Sequence, residues 1–151
     1  MMAKRRWQRD SVVRYRDWPD RHQTTLFLCS LILHLIVSMF LYSKFGGQVL
    51  FFENADAGSY TGLAQSVLRG EGFARAGEPS AVRTPAYPLF LAMAYALPLP
   101  EVWTILVLQS LLASIGAVLV YRLGAMFFSR RAGLIAGVIY AIEPYMLMSA
   151  N

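Results

Sequence analysis

The chain has 151 residues, of which 56% are hydrophobic and 15% are charged, and its mean hydropathy is +0.44. Charged residues make up about a quarter of an ordinary soluble domain, so this composition excludes that class and indicates a membrane protein. The net charge of +5 does not indicate a nucleic-acid partner, because the basic residues flank apolar segments and form no folded basic module.

A basic tail, residues 1–23, begins the chain and contains half of its 14 basic residues. The segment from Thr24 to Tyr42 then contains no Lys, Arg, Asp or Glu. It predicts a first transmembrane helix over 24–44, since about 20 apolar residues cross a bilayer. A cleaved signal peptide is the competing interpretation. The length of the basic region and the lack of a small-residue cleavage pattern after Tyr42 favour a retained span.

Two residues within this first span carry side chains that call for an explanation. Cys29 is the one cysteine of the chain, so an internal disulfide is excluded, and we expect it to have a packing role. His34 is ionisable, which makes it a functional candidate inside a membrane. We expect instead a neutral imidazole that bonds to a neighbouring helix, with no polar companion on its own helical face.

A polar loop, residues 45–101, follows the first span and is longer than a simple connection requires. Its first half predicts an interfacial helix over about 57–69, because apolar residues recur there at helical spacing. Asp56 is placed to cap the start of this helix, and Gly70 to end it in a left-handed conformation.

The second half of the loop predicts another interfacial helix, over 86–97, which is too short to cross a membrane. Pro88 is tolerated in its first turn, and Pro98 ends it. Three charged residues of the linker between the two helices would approach Asp56 if the helices packed side by side. They are Arg75, Glu78 and Arg83.

Two further apolar segments predict transmembrane helices over 102–127 and 131–150. Lys and Arg cluster before the first span and between the second and third, so the positive-inside rule makes both regions cytoplasmic and the loop outward-facing. Glu143 lies near the outer end of the third span, where it either reaches water or lines a cavity. The predicted fold class is an all-α integral membrane protein with three transmembrane helices and two interfacial helices.

Three segments, in this order between the spans, carry a family resemblance: DAGSYTGLAQSVLRGEGF, RTPAYPLFLA and LQSLLASIGAVLVYRLGAMFFSRRAGLIAGVIYAIEP. From about Phe27 onward the chain resembles the N-terminal part of the GT-C membrane glycosyltransferases. The lipid A aminoarabinose transferases and the protein O-mannosyltransferases are the most similar in pattern. The most specific parts are 56–72 and 83–88.

The resemblance implies a transferase of the bacterial cytoplasmic (inner) membrane. Such an enzyme moves a sugar from a polyprenyl phosphate donor to a glycan, lipid or protein acceptor on the outer, periplasmic face. Asp56 takes the place of the family's first-loop acid, which acts as a base toward the acceptor or helps to hold a metal. Arg83 takes the place of a basic residue that binds the donor phosphate. Supporting roles in substrate binding fall to Tyr60, Tyr87, Glu78 and Glu143.

Both principal residues also have a simpler interpretation. Asp56 would serve only as a helix cap, and Arg83 would contact lipid headgroups. Many relatives carry a second acid after the first, and Ala57 stands there in this chain. A divalent metal is therefore not an established cofactor, and Asp56 is its one candidate ligand.

Relatives continue through many more spans, so we expect this chain to be a truncated N-terminal portion. The alternative functions are a non-catalytic membrane protein, a transporter component and an inactive fragment. The predicted second and third spans lack the paired charges and broken helices of a transport pathway, which weighs against the transporter.

Overall fold

A computed structural model describes residues 20–46, 55–75, 78–80 and 83–143, without the side chains of Phe45 and of residues 55–57. About 80% of the described residues are helical, which confirms the predicted α-helical class. Most of the predicted basic tail lies outside the described residues. The elements in chain order are α1 (Arg21–Phe45), α2 (Ala55–Leu68), β1 (Ala74–Arg75), β2 (Glu78–Pro79), α3 (Ala86–Tyr95), α4 (Glu101–Phe127) and α5 (Arg130–Ile142).

The helices α1 and α4 are long and apolar enough to cross a membrane, with hydropathy of 2.2 and 2.1 in their most apolar windows. They coincide with the first and second predicted spans. The core helix of a soluble protein has the same length and composition but is mostly buried. Only 22% of the window in α1 and 39% of that in α4 is buried, so these helices expose most of their surface.

The buried face of α1 is more polar than its exposed face. Four of its buried residues are Gln23, Ser30, His34 and Ser38. Its large exposed residues are Leu28, Ile32, Ile36, Met39 and Phe40. A helix in water buries its apolar side chains and exposes its polar ones. The reverse arrangement in α1 is what a helix surrounded by lipid requires, because lipid solvates leucine and excludes serine.

The predicted third span is not confirmed. The helix α5 has 13 residues and spans about 20 Å, less than the ~30 Å of a bilayer core. It ends at Ile142, and Glu143 is extended with ψ of 122°. The reason is local, since Pro144 disfavours helical backbone in the residue before it. Residues 144–150 of the predicted span lie outside the described residues.

The chain divides into two compact units, of which unit 1 comprises 1–37 and 109–150 and unit 2 comprises 38–108. Small residues at every fourth position pack α5 within unit 1: Gly133, Gly137 and Ala141. A Cβ added to Gly133 would lie 2.4 Å from the Tyr121 carbonyl oxygen. Helices that approach so closely are characteristic of small-residue interfaces in membranes.

One end of unit 1 is held by polar contacts that involve Asp20. Its Oδ1 accepts from the Gln23 N–H at 2.9 Å and caps α1, while its Oδ2 accepts from the Tyr121 hydroxyl at 2.6 Å. Beside them, Arg122 donates to Gln23 Oε1 at 3.1 Å. Residues 20–23 were predicted to belong to the basic tail, and here they begin the first helix.

Burial alone would raise the pKa of the Asp20 carboxyl. The hydrogen bonds from Tyr121 and Gln23, together with the nearby His22 and Arg130, outweigh burial and lower that pKa below its ordinary value. The carboxylate is therefore charged in the folded protein at neutral pH.

In unit 2, α2 packs against α3 over an apolar core that includes Ala64, Leu91 and Ala92. Gly70 ends α2 with φ of +77°, as predicted. The Gly70 N–H donates to Val67 O and the Glu71 N–H to Ser66 O, which together form a Schellman motif. The linker that follows forms the antiparallel hairpin of β1 and β2, which was not predicted.

The second interfacial helix was predicted over 86–97, and α3 extends over Ala86–Tyr95. Pro88 occupies its first turn, as expected, because a missing N–H costs nothing there. The helix ends two residues early since Leu97 precedes Pro98, a position that disfavours helical backbone.

Candidate functional site

The start of α2 places the predicted acid in the first turn of a helix. The sequence predicts Asp56 as the cap of a helix that begins near 57, whereas α2 already begins at Ala55. The alanines at 55 and 57 explain the earlier start, because alanine has the highest helix propensity. Position 56 is therefore the second residue of α2. The side chain of Asp56 lies outside the described residues, so its predicted role stays a prediction.

Arg83 reaches α2 one helical turn after position 56. Its Nε donates to the Ser59 hydroxyl at 2.9 Å, and its guanidinium lies 5.1 Å from the centre of the Tyr60 ring. Positions 59 and 60 follow 56 by three and four residues, which places all three on one face of the helix. The two loop segments singled out in the sequence, 56–72 and 83–88, thus meet at Arg83.

Aromatic side chains from both helices surround this contact. The Tyr60 and Tyr87 rings meet edge to face, with centroids 5.2 Å apart, and Tyr87 stacks on Phe90 at 5.9 Å. We name Ser59, Tyr60, Arg83, Tyr87 and Phe90 the Arg83 cluster. Its hydrogen bond and cation–π contact hold the guanidinium in one orientation.

The cluster combines a fixed cation with an accessible aromatic surface. Ser59 is buried, Tyr60 and Arg83 are partly buried, and Tyr87 is 39% exposed. An oriented guanidinium suits the binding of phosphate, to which it donates parallel hydrogen bonds. An exposed aromatic ring beside it offers an apolar face to a sugar or a prenyl chain.

Tyr95 lies at the C-terminal end of α3 and is not a candidate base. Burial first, and then the nearby Glu101 and Tyr87, raise the pKa of Tyr95 to about 12. The phenol therefore stays neutral at physiological pH.

Glu78, a predicted substrate-binding residue, lies in the hairpin and not in the Arg83 cluster. It pairs with Arg75 in the β1–β2 register and is exposed. Arg83 is the linker charge that contacts α2 next to position 56, through Ser59 and Tyr60. The predicted approach of Arg75, Glu78 and Arg83 to Asp56 itself stays a prediction. Glu143, a further candidate, belongs to unit 1 and ends α5, and its predicted substrate role stays untested.

A metal site is not supported by the donor set. Among the described residues, no three His, Cys, Asp or Glu side chains are close enough to hold a metal ion. Asp56 is followed by Ala57, so the neighbouring position supplies no second carboxylate. The side chain of Asp56 lies outside the described residues, so a metal at this position stays a prediction, and no step of the chemistry below uses one.

Ser59 and Phe90 are the residues of the cluster that the sequence analysis missed as site residues, and Ser59 is the one that bonds to Arg83. A serine inside a helix is more often a solvated or back-bonded residue than a partner in a site. The signal was its spacing of three from Asp56, which places both on one face of α2. His34 was also misjudged, since Ser30 and Ser38 lie one turn away on its own face.

His34 Nδ1 bonds to its own helix, at 2.8 Å from the Ser30 carbonyl oxygen, and not to a neighbouring helix as expected. Its Nε2 and the Ser38 Oγ are buried atoms without a hydrogen-bond partner among the described contacts.

Protein-family models, characterised proteins and solved structures were compared with this chain, and none of them matches it. The function is therefore inferred from the residues and contacts above.

Proposed function

We propose that this chain forms the membrane-embedded, N-terminal part of a GT-C-type glycosyltransferase. The enzyme transfers a sugar from a polyprenyl phosphate donor to an acceptor on the outer face of the bacterial cytoplasmic membrane. The observation that supports this most is the contact of Arg83 with Ser59 and Tyr60, one turn from Asp56. It unites the two loop motifs whose order resembles that family.

The transfer step needs a base for the acceptor and a cation for the leaving group. As the acceptor hydroxyl attacks the anomeric carbon, Asp56 accepts its proton. The bond between the anomeric carbon and the donor phosphate oxygen breaks, and the electron pair stays on the phosphate. Arg83 binds that phosphate by charge-assisted hydrogen bonds.

The aromatic residues have positioning roles. Tyr60 and Tyr87 pack against each other and hold the Arg83 guanidinium over one ring face. In the proposed orientation, the N-terminus is cytoplasmic and α2, the hairpin and α3 face outward. A donor whose prenyl chain lies in the bilayer would present its phosphate at this membrane surface.

The test of this function is Asp56→Asn in the protein as its gene encodes it. Asparagine keeps the size and the helix-terminus preference of aspartate but is no base, so we expect transfer to fall by about 10² or more. Polyprenyl phosphate-linked mannose and aminoarabinose would be supplied in turn, with native membranes as the acceptor source. The measurement is incorporation of labelled sugar.

Glu71→Gln is the matched control, because Glu71 is an exposed acid of the same loop that pairs with Arg69. It should transfer sugar at the parent rate. If Asp56→Asn folds with the parent melting temperature and also transfers at the parent rate, Asp56 is a structural residue and not the base. A parent protein that transfers no sugar from either donor would contradict the proposed function.

A further inference from the structure

A shallow groove of about 280 Å³ opens on unit 1 between α1 and α4. Its walls are apolar and comprise Phe27, Ile115, Val118 and Leu119, while Gln23 and Arg122 lie at one end. Ile115 and Arg122 are seven residues apart on α4, so the groove extends for about 10 Å along the helix. These dimensions suit a segment of one hydrocarbon chain.

The polar end of the groove carries an excess of positive charge. The start of α1 and the end of α4 meet there, as the bonds of Asp20 with Tyr121 and of Gln23 with Arg122 show. The start of α5 is close as well, because Gly133 packs against the Tyr121 backbone. Among the described residues of these three segments, four arginines accompany the single carboxylate of Asp20. They are Arg21, Arg122, Arg130 and Arg131. Asp20 is itself engaged by Tyr121 and by the Gln23 N–H, so an anion at this end meets mainly cations.

We propose that this groove binds one acyl chain of an anionic phospholipid, with the lipid phosphate at Arg122. Basic pockets between transmembrane helices on the cytoplasmic side are typical sites for anionic headgroups. The bond to Gln23 directs the Arg122 guanidinium toward the polar end. The predicted orientation places this end at the cytoplasmic leaflet, which is rich in anionic phospholipid, whereas the proposed sugar donor is used on the outer face.

Fluorescence quenching by brominated lipid tests this site. Trp7, Trp18 and Trp103 are replaced by phenylalanine, and a single reporter is introduced as Leu123→Trp, next to Arg122 but not in the groove wall. The full chain is placed in phosphatidylcholine vesicles that contain phosphatidylglycerol or phosphatidylcholine with brominated chains. Ile135→Trp, on the exposed surface of α5, is the control reporter and measures general enrichment of anionic lipid.

We expect the Leu123→Trp reporter to prefer brominated phosphatidylglycerol about fivefold over brominated phosphatidylcholine, the factor that one basic side chain supplies. The Ile135→Trp reporter should show a smaller preference. Arg122→Gln and the groove-filling Val118→Phe should each remove the preference, and Arg75→Gln, an exposed arginine of the hairpin outside this site, should retain it.

Equal quenching by the two lipids at Leu123→Trp would overturn the site, as would a preference that survives Arg122→Gln. A competition experiment distinguishes binding of phospholipid from binding of polyprenyl phosphate. Polyprenyl phosphate is added at a tenth of the amount of brominated lipid. Relief of quenching by this small amount would assign the groove to the sugar carrier and not to phospholipid. None of these outcomes depends on glycosyl transfer, so the site can fail while the proposed function stands.

Discussion

The helices of unit 1 and the loop elements of unit 2 distribute polar and apolar side chains in opposite ways. In unit 1, serine, histidine and glycine are buried and large apolar residues cover the surface. In the loop elements, Leu63 and Leu91 are buried while Gln65 and Arg69 are exposed. The difference fits the proposed placement of the long helices in lipid and of this side of α2 in water.

The helix α3 combines both patterns. It buries Leu91 and Ala94 against its neighbours and also exposes Leu89 and Met93, at 48% and 55%. Apolar residues on both sides of a short helix are expected of a helix that lies in the membrane interface. The exposed residues of α3 therefore fit the proposed position of this helix at the membrane surface.

The largest expected effect is the difference in labelling between the two sides of the membrane, on which the loop and the turn after α4 are proposed to lie. With Cys29 replaced by serine, a membrane-impermeant maleimide should label Gln65→Cys in intact cells. It should label Phe128→Cys, in the exposed turn after α4, only after permeabilisation. The opposite pattern would reverse the orientation. Ser66 is unsuitable for this experiment, since it is 1% exposed.

A glycine substitution compares packing in the two regions. Gly133→Ala places a methyl group against the backbone of α4, so we expect a loss of about 1–3 kcal/mol in the free energy of unfolding. Gly62→Ala, in α2, meets nothing within 4 Å and should stabilise by about 0.5–1 kcal/mol through helix propensity. Denaturation in detergent, followed by circular dichroism, would measure both. If Gly133→Ala changed the free energy of unfolding by the same amount as Gly62→Ala, α5 would not be tightly packed.

The smallest expected effect is the pH dependence of the Asp20 contacts. Because the folded-state pKa of Asp20 is lowered, its stabilising contribution is complete above the unfolded-state pKa and is lost as pH falls through the folded-state value. The melting temperature should therefore decrease as the pH is lowered below about 4. Asp20→Asn should lower the melting temperature at neutral pH and reduce this acid dependence. If the melting temperature of Asp20→Asn depended on acid pH as the parent's does, other carboxylates would be responsible for that dependence.

The sequence predicted the long helices because length and hydropathy are properties of one segment. It also predicted the end of α2, since the left-handed conformation of Gly70 is a local preference. Contacts between distant residues could not be predicted in this way. The bond of Asp20 to Tyr121 joins residues 101 positions apart, and that of Arg83 to Ser59 joins residues 24 positions apart.

The third span, predicted through Pro144, is not confirmed, because proline disfavours helix in the preceding residue and α5 ends at Ile142. The prediction that His34 lacks polar companions on its helical face was wrong, since serines at four-residue spacing make the buried face of α1 polar.

The measurement that most directly tests the central claim, that the Arg83 cluster binds the donor phosphate, is the kinetics of Arg83→Ala with varied polyprenyl phosphate-linked sugar. Arg75→Ala, which removes an exposed arginine of the hairpin, is the matched control. Loss of a phosphate contact made equally in ground and transition states raises KM for the donor and leaves kcat unchanged. We predict this result for Arg83→Ala and parent kinetics for Arg75→Ala. A donor KM unchanged in Arg83→Ala would contradict the proposed role of the cluster.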